Sequence, residues 1–121
     1  MRTARIGHLR ILEPTTRRER VRGLAGRDAL DPDEALLLCR CRSVHTFGMR
    51  IAIDVVLLDR AMRPIRVRTL PPGRLFLPRP QVRHVLETAA GSGPRFAQAI
   101  QDPVPGALPW TSHRSPRGRS T

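Results

Sequence analysis

A chain of 121 residues with 22 arginines, no lysine and ten acidic residues carries a formal charge of +12. A length in the range of about 100–200 residues holds one domain and one modest core, and excludes a second domain. Aromatic residues make up 3% of the chain and Tyr is absent, so aliphatic packing must build the core and platforms for stacking bases are scarce.

The opening stretch MRTARIGHLRILEP has no run of about 7–15 apolar residues and no small-residue cleavage site, so a secretory signal is not expected. Leu9, Ile11 and Leu12 predict a first short strand, ended by Pro14. Thr16 with Glu19 three residues later forms a capping-box pattern, and Gly23 or Gly26 can close the helix, which predicts a short helix over residues 16–24. Arginines at 17, 18, 20 and 22 leave it little apolar face beyond Val21 and Leu24.

LDPDE is a turn, and ALLLCRC after it is continuous enough to be a strand covered on both faces, with Cys39 and Cys41 on one side. IDVVLLD repeats that signature. The turn DRAMR joins it to PIRVRTL as a hairpin in which Ile65, Val67 and Thr69 alternate with Arg66 and Arg68, one face inward and one wet. PPGRLFLPRP holds four prolines and a glycine and is expected to cross the surface as a loop. QVRHVLET forms a further strand with Val82, His84 and Leu86 on one face and Arg83, Val85 and Glu87 on the other. RFAQAI makes one helical turn. Pro, Gly, Ser and Arg dominate from Pro103 onward, so residues 1–104 are expected to form one compact domain and residues 105–121 a disordered tail.

Five or six short strands with one short N-terminal helix describe a mainly β fold bordering on α+β: a small sandwich or partly open barrel with the helix packed on it. Parallel βαβ architecture is disfavoured because helices do not alternate with strands. The longest apolar runs, Ala35–Cys39 and Val55–Leu58, fall far short of the roughly 18 residues that span a bilayer. A cytoplasmic protein is expected, in which both cysteines stay reduced.

RGLAGR, SVHTFGMRIAIDVVLLD and VLETAAG, in this order and spacing, resemble a bacterial and archaeal family known as domain of unknown function 192. The resemblance covers roughly residues 8–104 and implies a compact, jelly-roll-like β fold with no assigned activity. The matching positions are Arg22, Gly23, Leu24, Gly26, Arg27, His45, Phe47, Met49, Asp54, Asp59, Glu87 and Gly91. Ala25 stands where the family usually has Met, and QDPV replaces a Gly-Asp-x-Val ending. Many members carry export signals, which are not expected here.

Cys39, Cys41, His45 and Met49 form a C-x-C-x3-H-x3-M series whose soft donors suit Cu(I) or zinc, yet no second pair completes four ligands. Two core cysteines are the simpler expectation, with no metal and no cofactor. Cys41, His45 and Asp54 supply the residue types of a nucleophile, base and orienter, without a nucleophile elbow to support them. Asp54 beside VVLL must be desolvated and needs a partner, for which an arginine of the first helix, Arg22 or Arg27, is the natural candidate.

Three functions follow, in order of preference. The first is a non-enzymatic binding module with a polar cleft of Arg22, His45, Met49, Asp54 and Glu87, taking a small ligand or a protein partner. The second is an anion- or nucleic-acid-binding module: from Arg60 to Arg83 there are seven arginines and no acidic residue, with Arg66 and Arg68 forming an outward stripe. The third is a thiol or hydrolytic enzyme built on Cys41 and His45. The tail arginines 114, 117 and 119 are not the source of the basicity, since the rest of the chain still holds 19 arginines against ten acids.

Overall fold

The computed structural model of the protein describes residues 1–16, 30–41, 43–47 and 49–101. Of the helix expected over residues 16–24 only Thr16 is described; its Arg22, the nearby Arg27 and the tail expected over 105–121 lie outside the described residues. The described chain is mainly β. In order, its elements are β1 (Arg2–Ile6), β2 (Leu9–Glu13), β3 (Glu34–Leu38), β4 (Val44–His45), β5 (Ile53–Leu58), β6 (Pro64–Leu70), β7 (Leu75–Phe76), β8 (His84–Ala89) and α1 (Gly93–Gln101). Six strands form one sheet in the order β1-β2-β3-β8-β5-β6, and β4 and β7 form a separate two-stranded ribbon.

The sheet is antiparallel except for one pair. β2 and β3 run parallel, with Ile11 opposite Ala35 and Leu12 opposite Leu36, the one parallel contact among the sheet's five strand contacts. β1 escaped sequence reading because Ala4 and Ile6 are its only buried side chains. It is defined by the two-residue turn to β2, where Gly7 takes φ +63°. The β5–β6 hairpin forms, but a register shift between Leu57 and Leu58 leaves Ile65 out of the ladder, and of the three residues expected to face inward Ile65 and Thr69 are exposed and only Val67 is partly buried. Asp59 Oδ1 closes the turn by accepting the N–H groups of Ala61 (2.8 Å) and Arg63 (2.9 Å).

The continuous apolar runs are explained by layering. All six residues of β5 are buried, because α1 covers one face of the sheet and the ribbon with its flanking loops covers the other. The helix side gathers Ile11, Leu37, Val56, Leu58, Leu86, Phe96 and Ile100. The ribbon side gathers Leu36, Val44, Ile53, Val55, Leu57, Leu70, Val82 and Val85. Among the described residues no helix is long and apolar enough to cross a membrane.

α1 is longer than the single turn expected. Pro94 reads as a breaker, yet it stands in the first helical turn, where its missing N–H is not needed. Phe96 and Ile100 then fall one turn apart on the buried face. Burying Phe96, fully enclosed, contributes about 2–3 kcal/mol. Arg95 ties the outer side of the helix to the approach to β3, reaching Asp33 Oδ1 (3.1 Å) and the Pro32 carbonyl (2.7 Å).

Candidate functional site

Asp54 lies on the helix side of β5, 2% exposed. Its Oδ2 accepts the backbone N–H groups of Gly91 (2.9 Å) and Gly93 (3.0 Å), and Oδ1 accepts the Thr69 hydroxyl (2.7 Å). The partner that burial demands is therefore the start of α1 and the neighbouring strand. A negative group at this end of a helix also meets the positive end of its dipole. The approach is close: a Cβ on Gly93 would come within 2.6 Å of Val67 Cγ1 and 2.9 Å of Asp54 Oδ2. Gly91 takes φ +91° to bring its N–H round to the carboxylate. Asp54 is a clamp between sheet and helix.

Glu87 faces the other way. Its β-ladder neighbours are Leu36 on β3 and Val55 on β5, both in the ribbon-side cluster, and strand alternation puts it opposite to Asp54. It is 7% exposed, and among the described residues no hydrogen-bond partner reaches its carboxyl. Burial pushes its pKa from 4.5 up to about 7. The cleft expected from sequence is thus divided: Met49 packs on the same side as Glu87, Asp54 belongs to the helix side, His45 is exposed on the ribbon, and Arg22 lies outside the described residues.

Along the row of side chains that contains Glu87 and Val55, the next residue is Arg68, paired with Val55; Arg66 follows, paired with Leu57. Both arginines line a pocket of about 370 Å³ between the edge strand β6 and the segment 76–82. It is lined by Leu57, Val82 and Phe76, by Arg66, Arg68 and Arg79, and by Ile65, Leu77 and Gln81. The Arg68 guanidinium lies 5.3 Å from the centre of the Phe76 ring, a cation–π distance that holds the side chain over the pocket. No carboxylate lines it. Arg79 belongs to the basic Arg60–Arg83 stretch of the sequence, but its grouping with Phe76 and Leu77 was hidden because a proline-rich stretch shows no period, although β7 forms within it.

The ribbon that walls this pocket hangs on Thr46, fully buried. Its hydroxyl donates to the Pro71 carbonyl (2.7 Å) and accepts the Arg74 N–H (2.8 Å). Its own N–H donates to the Arg74 carbonyl (2.8 Å), and its carbonyl accepts from Gly73 (3.0 Å). Thr46→Val keeps the shape and removes the hydroxyl, which is expected to cost about 1–3 kcal/mol in urea denaturation. A loss below about 0.5 kcal/mol would show that the ribbon is secured elsewhere.

The thiols do not sit together. β3 ends at Leu38, and Arg40 takes a left-handed φ of +56°, so Cys39 packs on the helix side and Cys41 on the ribbon side. This corrects the expectation that one strand would carry both on one face. Cys39 Sγ donates to Glu13 Oε2 (3.1 Å) and Cys41 Sγ to the Ser43 carbonyl (2.9 Å). His84 Nδ1 accepts the Arg40 N–H (3.0 Å) and supports that turn. Among the described residues neither cysteine is in a disulfide, and Asp54 lies on the opposite side of the sheet from Cys41. Among the described residues no three His, Cys, Asp or Glu side chains gather as metal ligands.

Comparison with known proteins places this architecture. A UPF0127 protein of Pyrococcus horikoshii is 40% identical over 49 residues, a stretch covering 40% of this chain and 43% of that one, less than half its length. A Sinorhizobium meliloti protein provisionally described as a transcription regulator shares the fold at TM-score 0.62 and 20% identity, over 82% of this chain and 78% of its own. A protein of unknown function from Novosphingobium aromaticivorans does so at TM-score 0.55 and 17% identity, over 87% and 79%. At those identities the likeness is one of fold. The family model of DUF192, described as "Uncharacterized ACR", matches residues 5–104, and the chain belongs to that family.

Proposed function

We propose that the protein is a binding module whose ligand is a small anion carrying an apolar group, held in the pocket under Arg66, Arg68 and Arg79. One observation carries this reading: three arginines line one pocket whose other lining residues are mostly apolar, with no acidic side chain among them. Forked guanidinium donors match phosphate and carboxylate oxygens, and Leu57, Val82 and Phe76 offer an apolar tail a dry seat. The site lies on an edge strand and a loop, as binding residues commonly do. A cytoplasmic setting would keep both thiols reduced.

This reading draws together the first two sequence-based functions and moves the site. Asp54, with three hydrogen bonds inside the fold, is committed to structure, whereas Arg66 and Arg68 are exposed and line one cavity. Nucleic acid is the weaker ligand class, since Phe76 is the one aromatic ring of the lining and Arg68 lies over it.

Calorimetric titration with hexyl phosphate and with inorganic phosphate tests the proposal. Saturable binding is expected, tighter for hexyl phosphate and weakened at least about tenfold in the Arg66→Gln/Arg68→Gln double variant. Equal binding by that variant, or no saturable binding, would overturn it.

A further inference from the structure

The ribbon presents an outer face that the fold does not use. Val44 pairs with Phe76 and His45 with Leu75. Val44 and Phe76 pack into the ribbon-side cluster, so His45 and Leu75 point outward. Phe47, two residues beyond His45, stacks on its ring with centroids 5.3 Å apart and planes 20° apart, and Leu77 stands two residues beyond Leu75. Three apolar side chains consequently protrude together: Phe47 is 53% exposed, Leu75 58% and Leu77 68%. Leu77 also lines the arginine pocket, which makes ridge and pocket one continuous surface.

The charge around the ridge has one sign. The two stretches that supply it, residues 35–53 and 60–86, contain no Asp or Glu. Arg50, Arg74 and Arg79 are exposed on those stretches, as are Arg66 and Arg68. A second copy is a poor occupant, because a two-fold contact would bring these arginines against their own copies. A partner must be anionic and must accept separate protruding side chains without preformed sockets.

We infer that this ridge docks on an anionic lipid surface, with Leu75, Leu77 and Phe47 entering the headgroup layer and the arginine pocket engaging a lipid phosphate. Apolar tips flanked by arginine are the chemistry of an interfacial anchor: the tips leave water while the guanidinium groups stay at the level of the phosphates. The inference rests on the pocket being an anion site, since it names the source of that anion.

Co-sedimentation of the full chain with vesicles tests it, using equimolar phosphatidylcholine and phosphatidylglycerol against phosphatidylcholine alone. Binding to the anionic vesicles and not to the neutral ones is expected. Phe47→Ser/Leu75→Ser, at two ridge residues outside the pocket lining, should weaken it at least tenfold while leaving hexyl phosphate affinity unchanged. Hexyl phosphate binding without vesicle binding would overturn this inference and spare the pocket. Loss of both would overturn both. Vesicle binding that Phe47→Ser/Leu75→Ser leaves intact would reduce the effect to general electrostatics and overturn the ridge. Retention on immobilised polyglutamate without vesicle binding would assign the surface to an acidic protein. A dimer in sedimentation that the double variant dissolves would assign it to a second copy. Either result overturns the lipid assignment.

Discussion

Asp54→Ala is expected to destabilise the protein by about 3–5 kcal/mol, because each buried donor left without an acceptor costs about 1–3 kcal/mol. The carboxylate holds three donors: the Gly91 and Gly93 amides and the Thr69 hydroxyl. Thr69 is exposed and can turn to water, so the two amides account for most of the loss. Domains of this size typically have about 5–15 kcal/mol in total, so the variant should unfold at a much lower urea concentration. Its far-ultraviolet signal should also show fraying of α1, whose start the carboxylate holds. Asp54→Asn keeps one acceptor and should fall between the two. A fully stable Asp54→Ala protein that has lost only ligand binding would overturn the clamp and restore Asp54 to a binding site.

Glu87→Gln is expected to act in the opposite direction. With the folded-state pKa at about 7 against 4.5 for the ordinary group, the unfolded chain releases this proton first as pH rises. Below pH 4.5 both states hold the proton and Glu87 makes no difference. Through the window from 4.5 to about 7 the folded state alone retains it, and stability falls with each step of pH. Above that window the full penalty is in place, about 3 kcal/mol at 1.36 kcal/mol per pH unit. Glutamine has the same shape and no charge to desolvate, so the variant should be more stable than the parent by about that amount at pH 8 and nearly equal at pH 4. Urea denaturation at the two pH values checks it. Parallel stability profiles would mean that Glu87 is solvated or paired in solution. A buried carboxyl that costs stability at neutral pH is the kind of group retained for a task. Glu87 shares one face of the sheet with the arginine pocket.

The site was half legible in the sequence. Arg66 and Arg68 followed from strict alternation with Ile65, Val67 and Thr69, and the structure places both in the pocket lining. Arg79 was counted in the basic Arg60–Arg83 stretch, but its placement beside Phe76 and Leu77 did not follow. The prolines that flank them hide a two-residue strand whose existence depends on pairing with Val44 and His45, thirty residues earlier. Asp54 was recognisable as a buried charge needing a partner, but its partners are main-chain amides, which carry no residue signature. The cysteines misled for a related reason: a strand pattern continued past Leu38 assumes an extended backbone at Arg40, and a single left-handed residue sends Cys41 to the other side of the sheet.

Local chemistry alone determined the mainly β character, the β5–β6 hairpin and its Asp59 turn, the excess of arginine and the family to which the chain belongs. Those features arise from hydrophobic periodicity, turn propensity and ordered motifs, all readable over a few neighbouring residues. Tertiary structure decided which side of the sheet each buried carboxyl faces, how far α1 extends behind Pro94, and that β2 and β3 run parallel. It also decided that a proline-rich loop folds back to wall a basic pocket. Each depends on contacts between segments far apart in the chain, where register and layer order select among arrangements that the local pattern permits equally.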